Sequence, residues 1–121
     1  MKKRAFLCTA LAGLLAMTLA SAVTAKAEAA PRRIEVTAKR FSFVPGEITL
    51  KKGEPVVLVI KSTDVAHGIR FRDLNVEVNT RAGGSGQVQF TPQATGDFVG
   101  HCSVFCGVGH GSMTLKLHVV D

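Results

Sequence analysis

The chain has 121 residues, 46% hydrophobic and 20% charged, enough for one domain with a modest core and too apolar for a disordered tail. Its formal charge of +6 is concentrated at the start, because from Ala30 onward 11 Lys and Arg face 8 Asp and Glu. Those charges are scattered, with no basic stripe, so the composition speaks against nucleic acid as a partner.

MKKR is followed by the apolar run AFLCTALAGLLAMTLASAVTA, with small residues at Ala25 and Ala29 as cleavage points. That order is the make-up of a secretory signal. The reading is therefore a signal peptide over 1–29 and a mature domain over 30–121. It places the mature domain in the periplasm or on the extracytoplasmic side of a bacterial envelope, with peripheral or no membrane contact. An uncleaved anchor is the alternative, since Ala5 to Ala25 approaches spanning length. Cys8 leaves with the signal, and Cys102 and Cys106 remain.

From Arg33 the pattern is β throughout. IEVTAKRFSF alternates Ile34, Val36 and Ala38, then shifts phase so that Phe41 and Phe43 become the inward set. The shift at Lys39–Arg40 predicts a bulge or a second short strand, ended by Pro45–Gly46. EITL, a turn at Gly53 and the nearly continuous PVVLVIKS predict two further strands. In the turn after them, Asp64 caps the backbone with its carboxylate, and Gly68 lets the chain pass close to another loop. Val76 with Val78, Val88 with Phe90, and DFVGHC supply three more short strands. The last one sets Met113, Leu115, Leu117 and Val119 against Thr114, Lys116 and His118. Seven or so short strands with turns at regular spacing predict an all-β, antiparallel or Greek-key sandwich. Its expected core is Ile34, Val36, Phe41, Phe43, Val57, Val59, Phe71, Val78, Phe90, Phe98, Leu115, Leu117 and Val119.

The chemistry lies in HCSVFCGVGHGSM, where Cys102, Cys106, His110 and Met113 fall within a dozen residues. Soft ligands packed this closely select copper, zinc or an iron–sulfur centre. Gly107, Gly109 and Gly111 suit a backbone curling around an object. His67, in DVAHGI, approaches from a neighbouring loop at the same end of the sandwich. The residues leave several readings open. A disulfide between Cys102 and Cys106 explains neither the glycines nor Met113. Zinc takes two Cys and two His and gives Met113 no role. Mononuclear blue copper takes His67, Cys106, His110 and Met113 and leaves Cys102 spare. A dinuclear copper centre uses every candidate, with a main-chain carbonyl between the cysteines as the remaining weak ligand. Of the other histidines, strand alternation turns His101 away from Cys102 and puts His118 on the solvated face.

VTAKRFSFVP, KKGEPVVLVIKSTDVAHGI and CSVFCGVGHGSM together resemble the soluble copper domain of cytochrome c oxidase subunit II. That family has a cupredoxin fold and carries the dinuclear CuA centre. The resemblance implies two coppers bridged by Cys102 and Cys106, with His67 and His110 each ligating one. It also implies Met113 as a weak ligand to the first and the Val104 carbonyl to the second. Where this chain has Val104 the family usually has a glutamate that contributes to a magnesium site, so that link is lost. The chain also has no Trp or Tyr, so the family's aromatic entry for electrons from cytochrome c is missing. Nitrous oxide reductase carries a similar copper domain, but this chain has no room for its catalytic propeller. The expectation is a free-standing envelope carrier that exchanges single electrons with a redox protein, such as a c-type cytochrome or a terminal oxidase or reductase. It has no catalytic residue of its own and at most serves an enzyme as an accessory. Copper delivery, storage or resistance is the alternative from a different class.

Overall fold

The computed structural model describes residues 30–121; the expected signal peptide, its cleavage points and Cys8 lie outside them. Nine strands form two packed sheets: β1 (Arg32–Lys39), β2 (Ser42–Val44), β3 (Glu47–Lys51), β4 (Val56–Ser62), β5 (His67–Phe71), β6 (Val76–Thr80), β7 (Ser85–Phe90), β8 (Gly96–His101) and β9 (Thr114–Val120). One sheet has the order β2-β1-β4-β7 and the other β3-β9-β8-β5-β6. Two short 3₁₀ turns, Arg72–Leu74 and His110–Ser112, are the only helical segments among the described residues. None is long and apolar enough to cross a membrane.

The all-β sandwich is as expected, but it is mixed. β1 pairs β4 in parallel, with Val36 beside Ile60, and β3 pairs β9 in parallel, with Leu50 beside Val119. The other pairings are antiparallel. Parallel pairs arise here because the chain changes sheets between β2 and β3, and again between β3 and β4. The phase shift at Lys39–Arg40 is a hairpin end: β2 folds back on β1, with Ala38 opposite Phe43.

The core differs from the expected set in two places. In β4 the core-facing residues are Val56, Leu58 and Ile60; Val57 is half-buried and Val59 is buried outside the core cluster. Both faces of this strand are apolar, so a period of two carries no direction. Phe41 is not in the core either. It is 39% exposed and lies at the β1–β2 tip, whereas Phe43 is buried as expected. Ile34, Phe90 and Phe98 pack against the core as half-buried side chains. Val36, Phe71, Val78, Leu115, Leu117 and Val119 are buried within it, joined by Ala38, Ile48, Leu50, Ile69 and Val76. Cys102, Cys106 and Met113 belong to the same cluster, so the three sulfur side chains grow directly out of the apolar interior.

Candidate metal centre

The site forms at the end of the sandwich where β1 turns into β2, β5 begins, β8 ends and β9 begins. The backbone of the β8–β9 loop is anchored at its base, where Cys102 N donates to Met113 O at 3.0 Å. It is anchored sideways by Ser103 N donating to Gly68 O at 3.2 Å. A Cβ at Gly68 would collide with Asn79 Oδ1 and Ser103 Oγ, so the close passage expected at this glycine is real. Further along, the Phe41 ring covers the loop. A Cβ at Gly107 would stand 2.9 Å from Phe41 Cε1, and one at Gly109 would run into the ring. Gly107 also has φ +132°, a conformation closed to most side chains.

Cys102 and Cys106 are both free and buried, and their sulfurs are 3.5 Å apart. The Cys102 thiol donates to Val104 O at 3.2 Å. Cys106 Sγ lies 3.7 Å from His110 Nδ1 and 3.8 Å from Met113 Sδ. One ligand atom from each of His67, Cys102 and Cys106 falls within 4.8 Å of the others. All six residues singled out in the sequence therefore stand around the two sulfurs. His110 and Val104 are half-buried, whereas Met113 and His67 are fully buried. Burial, together with the hydrogen bond to Cys102, pushes the Cys106 thiol up to about 11. A metal that binds here must displace a tightly held proton.

His67 is the most informative member. Its Nε2 meets Asp64 Oδ1 at 2.6 Å, and its Nδ1 is buried with no hydrogen-bond partner. Asp64 is held down to about 2, chiefly by the Arg40 backbone N–H, then by His67 and Val65 N–H. An ionised carboxylate only accepts, so Nε2 is the donor in this pair and Nδ1 is the ring nitrogen left for another partner. A buried, unpartnered imidazole lone pair beside two thiols fits a soft metal. The capping role expected of Asp64 is present in its bonds to Arg40 N at 2.8 Å and Val65 N at 2.7 Å. Its hold on His67 was not foreseen, although an aspartate three residues before the histidine across a turn is a readable signal. Arg40 was missed as well: its Nε donates to Cys106 O at 3.2 Å. By contrast, His101 is exposed opposite Thr114, and His118 sits on the outer face, 2.6 Å from Asp97 Oδ1. Neither belongs to the cluster of His67, Cys102 and Cys106.

A family model for the cupredoxin-like domain matches residues 10–115. The chain belongs to that family. This cupredoxin-like domain is related to cytochrome c oxidase subunit II. It is 31% identical to that protein of Thermus thermophilus over 80 residues, covering 66% of this chain and 59% of the relative. The chain spans 59% and 48% of the length of two such subunits from Thermus thermophilus and 25% to 34% of their fungal counterparts. Among solved structures, a chain of a heme-copper terminal oxidase dimer superposes with TM-score 0.65 at 29% identity, covering 74% of this chain and 65% of that chain. A copper binding protein in its apo form superposes with TM-score 0.59 at 27% identity, covering 73% and 86%.

Proposed function

We propose that this cupredoxin-like domain holds a dinuclear copper centre of CuA type and works as a one-electron carrier of the bacterial cell envelope. Two free thiols 3.5 Å apart, with an imidazole nitrogen of His110 on one side and the orphaned Nδ1 of His67 on the other, carry this reading. Cys102 and Cys106 would bridge the two ions, and His67 and His110 would each hold one. Met113 Sδ and Val104 O would complete the set as weak ligands. When bound, copper supplies a one-electron couple between Cu(II) and Cu(I). The chain's own residues restrict rearrangement around it, because Cys102, Cys106 and Met113 are fixed in the core and His67 is fixed by Asp64. Zinc would leave Met113 idle, and a single blue copper would leave Cys102 idle.

The relatives named as oxidase subunits support an electron-transfer role, exercised with a redox protein such as a c-type cytochrome or a terminal oxidase or reductase. Val104 has no side-chain carboxylate, so a magnesium link of the oxidase kind is not part of the proposal. The similarity to a copper binding protein favours one second reading, copper handling in the envelope. The deciding experiment measures copper per chain together with the optical and electron paramagnetic spectra. Two coppers, a purple colour, a mixed-valence two-copper signal and reversible one-electron cycling are expected. One copper with a blue spectrum, preferential zinc binding, or a single Cu(I) passed readily to an acceptor would overturn the carrier.

A further inference from the structure

The sulfurs are buried, so an electron passing to or from the proposed centre must cross the loop that covers them. The loop's tip is apolar: Phe105 is 78% exposed, Val108 is fully exposed, and the Phe105 ring lies 5.7 Å from that of His110. On one flank a cleft of about 550 Å³ is lined by Arg70, Arg72, Glu77, His101, Cys102, Ser103 and His110. On the other, a shallower depression places Arg40 beside Phe105, Cys106 and Gly107. Three guanidinium groups thus border the apolar tip, with His101 as a further donor.

One acid in the cleft offsets one of the three guanidiniums and leaves two without a carboxylate partner. Glu77 stands 4.0 Å from Arg70 Nε and serves that residue alone. Both Asp64 oxygens are committed to Arg40 N, Val65 N and His67 Nε2. Among the described residues, Arg72 and the Arg40 guanidinium have no carboxylate at ion-pair distance. An apolar centre with a charged rim is the anatomy of a protein docking surface.

Building on the electron-carrier reading, we propose that this end of the domain docks an acidic redox protein, one whose own apolar spot is ringed by carboxylates. The rim charges act mainly on encounter and orientation, and the contact stays small and short-lived, as electron exchange requires. Arg70 and Arg72 lie in the cleft that also reaches Cys102 and His110, so a partner carboxylate held there brings its redox group to the edge of the proposed centre.

The test is a titration of the ¹⁵N-labelled chain as isolated, kept reduced, with an acidic c-type cytochrome and then with a basic one. Amide shifts are expected at Arg70, Arg72, His101 and Phe105 to Val108 with the acidic cytochrome. They should vanish at about 0.5 M salt, where the screening length is only a few ångströms. The double variant Arg70→Gln, Arg72→Gln should weaken binding about tenfold and keep the native amide spectrum. Shifts on another face, preference for the basic cytochrome, or wild-type affinity in the double variant would overturn the proposal. Binding is read here without reference to copper stoichiometry. A failed titration therefore leaves the copper assignment standing, and a failed copper assay leaves the docking result standing.

Discussion

The Nδ1 of His67 is buried without a hydrogen-bond partner, while Asp64 engages the other ring nitrogen. The carboxylate accepts a hydrogen bond from Nε2 and two more from the backbone N–H groups of Arg40 and Val65. In Asp64→Asn, the amide nitrogen cannot accept, so one of those three N–H donors loses its acceptor and the imidazole loses its charged anchor. Copper affinity should fall by about 10- to 100-fold, the usual loss when such a partner is removed, as a competition titration against a chelator would show. Native Asp64 favours the fold above its unpaired value of 3.8, and that contribution fades only as pH drops towards about 2. This carboxylate therefore stays ionised on mild acidification. Cys106 has the opposite sign. Its thiol is raised from 9.0 to about 11, so the fold favours the protonated form. In the reduced, metal-free protein that contribution is intact below about pH 9 and is lost as pH rises through about 11. Denaturation midpoints should decline over this window in the native chain, and the decline should be smaller in Cys106→Ser. Copper must displace the same proton, so each thiol proton released makes apparent affinity fall about tenfold per pH unit of acidification.

The β1–β2 hairpin tip and the β8–β9 loop come from opposite sheets and meet over the sulfurs. Arg40 spans them: its backbone N–H holds Asp64, its Nε holds Cys106 O, and the next residue, Phe41, lies across Gly107 and Gly109. Replacing Arg40 by Gln keeps the backbone bond to Asp64 and removes the guanidinium donor. The expected loss of stability is small, about 0.5–1.5 kcal/mol by thermal or chemical denaturation. The copper-loaded variant should also show a lower reduction potential, since a cation beside the centre is gone. An unchanged potential in voltammetry would leave Arg40 a structural role only. This element also shows how far the sequence could be read. Ligand spacing in the β8–β9 loop is local, so Cys102, Cys106, His110 and Met113 were legible, and DVAHG marked His67. The β9 strand was legible too, because Leu115, Leu117 and Val119 face Lys116 and His118 across a clear alternation. Arg40 and Phe41 were not, because their work depends on a contact 66 residues away in the chain. β4 was not oriented for a related reason: Val56 to Ile60 is apolar on both faces, and only pairing with β1 and β7 decides which side is inside.

At the scale of the whole molecule, the site adds side-chain links to strand ends that the backbone already joins through Cys102 N to Met113 O and Ser103 N to Gly68 O. His67 opens β5, Cys102 follows β8, Met113 precedes β9, and Cys106 and His110 sit in the loop between them. The thiol contacts that these groups make with one another and with Val104 O are weak, 3.2 to 3.8 Å, and His67 Nδ1 has no hydrogen-bond partner. Any ion that binds them in the folded chain ties three strand ends and a loop together and removes that penalty. Ligand binding to the folded state alone adds about 2.7 kcal/mol when free ligand exceeds its dissociation constant a hundredfold. A domain of this size gains about 4–8 °C in Tm for each kcal/mol. Copper loading should therefore raise Tm by on the order of ten degrees or more, and a strong chelator should reverse the gain. The same measurement separates the site from the scaffold. Cys102→Ser should remove most of the copper-dependent rise while leaving the metal-free Tm near that of the native chain, because serine replaces the sulfur at nearly the same volume. A comparable copper-dependent rise in Cys102→Ser would mean that the metal is held without this thiolate, and the two-copper centre would fall.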